Sequence, residues 1–168
     1  MNTGQVLLSI AAFMFLGTVL VNFNHLVLAN NEDMSDSHDL ILASEIAQTY
    51  LEAAQATNYD KASVEDPVDD VTQFTDPNDL GPDGNETEVS DFNDFDDFNG
   101  VVAVDTAEGT NGVFQTDFTV TYVDPEDINY RSVQTFMKRL DLKTYRIDVP
   151  NARDTVHMFT TMAYFKFN

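Results

Sequence analysis

The chain of 168 residues contains no cysteine and no tryptophan. Without cysteine there are no disulfides, thiolate zinc sites, iron–sulfur ligands or CxxCH haem attachments. Basic residues are scarce. Lys and Arg number 8 against 29 Asp and Glu, a formal net charge of −21. Binding nucleic acid requires Lys and Arg clusters that neutralise phosphates, so this composition excludes it. Charge of either sign is missing from Met1 to Asn31, and the first charged residue is Glu32. No Lys or Arg precedes the apolar run, as the basic n-region of a secretory signal would require. Nor do Lys or Arg flank it in the manner of an ordinary membrane anchor. Candidate catalytic pairs are lacking too. His25, His38 and His157 are scattered with no serine or carboxylate at a recognisable spacing, and the expectation is that the protein is not an enzyme.

The uncharged stretch is itself informative. Val6–Val21 is almost purely apolar, interrupted by Ser9, Gly17 and Thr18. About 20 apolar residues span a bilayer, so the length is adequate for a transmembrane helix. Polar residues occupy Asn30–Asp39, after which apolar positions return at Leu40, Ala43, Ile46, Ala47, Tyr50, Leu51 and Ala54. Spacings of three and four mark one face of a helix. Glu45, Gln48, Thr49, Glu52 and Gln55 lie on the other face, and Asn58 is the expected stop. An unbroken helix over Asn2–Thr57 would be about 80 Å long at 1.5 Å per residue. Gly17, Asn22 and Asn24 are the weakest helix formers in its apolar half, so a break is expected there if anywhere.

Asp60–Ser90, with Pro67, Pro77, Pro82, Gly81 and Gly84, reads as loop and turn. Within it Asn85-Glu86-Thr87 fits the N-glycosylation acceptor pattern. The segment DFNDFDDFNG follows at Asp91–Gly100. Asp91, Asn93, Asp94, Asp96, Asp97 and Asn99 offer oxygens of the kind that calcium or another hard cation takes. Phe92, Phe95 and Phe98, spaced by three, predict a helical or 3₁₀ turn that presses its rings into a core. The blander reading of this segment is an acidic, solvated turn pinned by those rings. Val101–Asp105, Val113–Val123, Leu140–Val149 and Val156–Phe167 alternate apolar with polar and read as strands. Ala107–Gly112 and Val149–Asp154 read as hairpin connections, and Asp124–Asn129 as a longer loop.

The predicted fold is α+β. A long N-terminal helix, apolar in its first half and amphipathic in its second, packs on an antiparallel β-sheet head, with Leu40–Ala54 as the lid of the sheet. Three regions are expected: a hydrophobic helix over 1–31, an amphipathic helix over 32–58, and an acidic loop with the sheet over 59–168. So acidic a head suits high salt, where screening relieves self-repulsion.

In its order of parts the chain resembles the type IV pilins and pseudopilins. The resemblance is carried by the apolar N-terminus from Met1 with a polar Gln5, by the helical continuation Ser44–Ala54, and by Asp96-Asp97-Phe98-Asn99-Gly100 followed by strands and by Lys138-Arg139-Leu140-Asp141-Leu142-Lys143. It implies the structural subunit of an extracellular pilus-like filament, inserted in the inner membrane before the pilus machinery assembles it, with adhesion among its roles. Met1, Gln5, Val6, Leu7, Leu8, Ile10, Phe13, Phe15, Leu16 and Leu20 are then the assembly residues, and the partners are copies of the chain itself. No cofactor is expected beyond calcium or other cations on acidic loops. The family normally carries glutamate as the fifth mature residue, where this chain has Gln5 if Met1 is the mature start. An amide can accept a hydrogen bond from a neighbour's ammonium but cannot cancel its charge. Cleavage after Gly4 is the other reading of the start. The basic leader and the C-terminal disulfide usual in the family are also absent from this sequence. Two alternatives stand beside the pilus subunit: a pseudopilin of a secretion system, and an acidic binding module on a single-pass anchor.

Overall fold

The structure, a computed structural model, describes residues 2–65, 67–84, 86–107, 110–149 and 154–165, with positions 32 and 65 described by backbone alone. Helix α1 runs Thr3–Gln55 and is followed by the single turn α2, Ala62–Glu65. Three 3₁₀ turns come next, at Val71–Gln73, Val89–Asp91 and Asp96–Phe98. The strands are β1 (Val102–Thr106), β2 (Val113–Tyr122), β3 (Met137–Arg146) and β4 (Thr155–Ala163). They form one antiparallel meander in the order β1-β2-β3-β4. The fold is α+β, with the last part of the long helix, from Leu40, packed on the four-stranded sheet. The chain divides into two compact units, Met1–Asp39 and Leu40–Asn168.

In the first unit α1 is helical without interruption, including Gly17, Asn22 and Asn24, where the sequence expects the weak point. Energetics explain the continuity. Gly costs about 1 kcal/mol relative to Ala in a helix interior, and Asn less. Those small costs are spread among Val, Leu, Ala, Met and Phe neighbours, and a break would forfeit the cooperative hydrogen bonding on either side of it. At the other end the helix closes three residues before the expected stop. The Thr57 hydroxyl caps the Ala54 carbonyl at 2.8 Å. Asn58 instead pairs with the acidic turn: its N–H donates to the Asn93 carbonyl at 3.2 Å, and its own carbonyl accepts from Phe95 N–H at 2.9 Å.

In the second unit the buried stripe of α1 is Ala43, Ala47, Leu51 and Ala54. Three of the four are alanines, which let the helix backbone approach the sheet closely. Across from Ala47, Leu51 and Ala54 stand Phe118, Val120, Leu140 and Leu142, every second residue of β2 and β3. Phe92, Phe95 and Phe98 complete this cluster, with the Phe92 and Phe98 rings edge to face at 5.0 Å. The predicted ring-bearing turn is therefore present. A second cluster joins Tyr59, Val68, Phe74 and Tyr122, so the Pro-rich connection supplies part of the core. Ala43, Ala107 and Phe114 form a third.

Strand β3 departs from its predicted bounds. It starts three residues early, at Met137 rather than Leu140, and ends at Arg146 rather than Val149. The cause is Lys138, a charged residue on the inner face that interrupts the apolar pattern. Its side chain is fully buried.

Candidate functional site: the apolar half of α1 and the buried acidic turn

Two features carry chemistry. The first is the start of α1. Every described residue from Asn2 to His38 is exposed. Leu8 is 73%, Phe13 75% and Phe15 72% exposed, and Val6, Leu7, Ile10, Leu16 and Leu20 are exposed as well. α1 is long and apolar enough to cross a membrane, and the window that meets this test has none of its residues buried. From Val6 to Leu28 it extends about 34 Å at 1.5 Å per residue, against a hydrocarbon core of about 30 Å. Its hydroxyls are already satisfied. Ser9 donates to the Gln5 carbonyl at 2.9 Å, and Thr18 to the Phe15 carbonyl at 2.8 Å. Both can enter a dry environment without losing a partner. Gln5, Asn22, Asn24 and His25 are exposed polar groups on the same segment. Met1, the remaining assembly residue predicted from the sequence, lies outside the described residues. So does Asn85 of the glycosylation pattern.

The second feature is the acidic turn, and here the reading as a solvated turn needs correction. Asp94, Asp96 and Asp97 are buried, so the turn is not a solvated one. Among the described residues, no three His, Asp or Glu side chains gather to hold a metal ion. The side chains of the predicted cation ligands are engaged elsewhere. Asp91 accepts from the N–H groups of Thr87 and Glu88. Asn93 donates to Glu86. Asp94 accepts from Asp96 N–H at 3.0 Å, and Asp97 from the N–H groups of Asn93 and Asp94 at 2.9 and 3.0 Å. Asn99 bridges from Val120 N–H to the Leu80 carbonyl. The turn builds itself from its own acids, as Asx turns do.

The cation at this turn is an ammonium. Lys138 Nζ donates to Asp96 Oδ1 at 2.7 Å, to Asp60 Oδ2 at 2.7 Å and to the Tyr59 carbonyl at 3.1 Å. It lies 4.7 Å from the centre of the Tyr59 ring and 5.2 Å from that of Tyr122. Register places it there: Lys138, Leu140, Leu142 and Thr144 share the inner face of β3. Asp60 is held from all sides, by Ala62 N–H on Oδ1 and Thr75 N–H on Oδ2, each at 3.0 Å. Burial pushes the Asp94 carboxyl up to about 8, helped by its hydrogen bond to Asp96. Burial also raises Asp97, to about 6, against the opposing pull of two backbone N–H donors. The Tyr59 and Tyr122 hydroxyls are raised by burial and by the nearby Asp60 charge.

Sequence reasoning missed Asp60 and Lys138. Extending the period-two alternation of β3 backwards from Leu140 would have placed Lys138 inward. No family model matches this chain, nor does any curated protein or solved structure.

Proposed function

We propose that this protein is the structural subunit of an extracellular filament of the type IV pilin kind, stored in a membrane and assembled through the apolar half of α1. One observation carries the reading: a helical segment without charge or buried residues, continuous along α1 with the stripe that covers the sheet. So much apolar surface needs shelter. In the stored state lipid provides it. In the assembled state the same residues pack against copies of themselves, and the acidic heads face solvent. At about 25 cal/mol per Å², sheltering a segment of this size contributes on the order of tens of kcal/mol gross. That is enough to hold a polymer without covalent links between subunits. A head-to-tail contact that does not close on itself produces an open helix of subunits. Gln5 offers a hydrogen-bond acceptor to a neighbour's N-terminal ammonium.

The test is reconstitution. The full chain is extracted from membranes in detergent, and the detergent is then removed with and without added lipid. The reading expects filaments visible by electron microscopy when lipid is withheld, and insertion into vesicles when it is supplied. Insertion into lipid together with amorphous precipitate or monomers in its absence would favour the single-pass anchor instead.

A further inference from the structure

A buried lysine between two carboxylates in a ring-lined pocket closed to bulk solvent is the starting material for an amide. We propose that Lys138 Nζ and Asp60 Cγ condense into an intramolecular amide cross-link, with Asp96 and Asp94 relaying the protons. Four observations converge on it. The amine and the carboxylate are in contact, Nζ lying 2.7 Å from Asp60 Oδ2. Neither side chain is exposed at all, and Tyr59, Phe74 and Tyr122 wall in this part of the core. The Asp60 carboxyl is clamped by the Ala62 and Thr75 N–H donors, which draw charge from it and fix its orientation. A second carboxylate, Asp96, sits 2.7 Å from the same nitrogen and is hydrogen-bonded to Asp94. Burial keeps Asp94 protonated near neutral pH, so the Asp94–Asp96 pair holds a proton to lend.

The step balances without a further reagent. Asp96 takes a proton from the ammonium, and the freed lone pair attacks Asp60 Cγ. The C–N bond forms and the Cγ–Oδ2 bond breaks. Oδ2 leaves as water with two of the three ammonium protons, and the third stays on the amide nitrogen. No group is oxidised or reduced. Holding the reacting groups in contact replaces the encounter that free amine and carboxylate would need. Exclusion of water opposes the reverse hydrolysis. The bond would join positions 78 residues apart in a chain without cysteine, and so restrain a long loop of the unfolded chain as a disulfide does. The proposal is independent of whether the subunit polymerises.

The test is peptide mapping of the purified full chain after denaturation and digestion with trypsin. The expected product is a branched peptide joining the segments around Asp60 and Lys138, lighter than their sum by one water and uncut after Lys138. K138R keeps the positive charge but presents a poor nucleophile, and it should give only linear peptides. D96N should lower the branched fraction at least tenfold. Wild-type protein cut completely after Lys138, or branched to a residue other than Asp60, overturns the assignment. Because the wild-type map decides the matter, a variant that fails to fold leaves the test intact.

Discussion

Phe13 offers the sharpest perturbation of the assembly segment. Its ring is 75% exposed in the single subunit, so substituting it removes little within the chain. In a filament core or a bilayer the ring is sheltered, contributing about 1.5–3 kcal/mol. Phe13→Asp forfeits that and places a charge where the insertion penalty is about 2.5–3.5 kcal/mol. Together the two come to about 4–6 kcal/mol per subunit. At 1.4 kcal/mol per factor of ten, the concentration needed for polymerisation rises by about three orders of magnitude or more. Phe13→Leu preserves apolar character and should cost less than about 1.5 kcal/mol, leaving filaments in place. The assay is electron microscopy and pelleting of material sheared from cells, alongside membrane fractionation and thermal melting of the detergent-solubilised chain. The expected pattern for Phe13→Asp is an unchanged melt of the second unit, whose core is built from its own residues, with less protein in the membrane fraction and no filaments. Wild-type filament yield from Phe13→Asp would refute the reasoning.

Other consequences follow from the charges. Measured against wild-type chain in which the amide has not formed, Lys138→Met leaves Asp60 and Asp96 buried without their ammonium. It should destabilise the head by about 3–5 kcal/mol in urea denaturation, and a loss under about 1 kcal/mol would contradict the buried network. The raised pKa of Asp94 gives a signed pH dependence. Between about 4, the unfolded value, and about 8, the folded value, the native state binds more protons than the unfolded state, so its stability falls as pH rises. Asp97 adds to the fall between about 4 and 6. The melting temperature at fixed ionic strength should therefore drop from pH 5 to pH 8, and Asp94→Asn should flatten the drop. Indifference of the slope to that substitution would contradict the assignment. With −21 per subunit, dialysis from 0.1 M to 0.01 M salt lengthens the screening distance from about 10 to about 30 Å. Filaments measured by microscopy should shorten or disperse on dialysis, and unchanged lengths would count against a salt-dependent surface.

What the sequence made legible was local. The uncharged stretch is visible by composition alone, while the Leu40–Ala54 stripe and the period-two run Thr116–Val123 show their periodicity within a few residues, because burial on one face imposes it. Phe92, Phe95 and Phe98 could be read as inward for the same reason. The contents of the acidic turn could not. Asp96 is buried because a lysine 42 positions away meets it, and Asp60 because the same lysine arrives from 78 positions away. Nothing near either aspartate announces that partner, and an aspartate with no visible partner reads as solvated. Lys138 misled in the complementary way. A charge at an inward register position looks like the end of a strand, so β3 was expected to begin after it. Val68 and Phe74 are isolated apolar residues in a Pro-rich connection, too sparse to set a period, yet both are buried.

The central claim is that the apolar half of α1 exchanges lipid for its own kind. Cryo-electron microscopy of filaments sheared from the cell surface, with mass spectrometry of their N-terminal peptide, tests it most directly. The account predicts filaments composed of this chain, with Val6–Val21 of many copies packed along the axis and the acidic sheets outside. A chain recovered only from membranes, or a filament with that segment facing solvent, would contradict it.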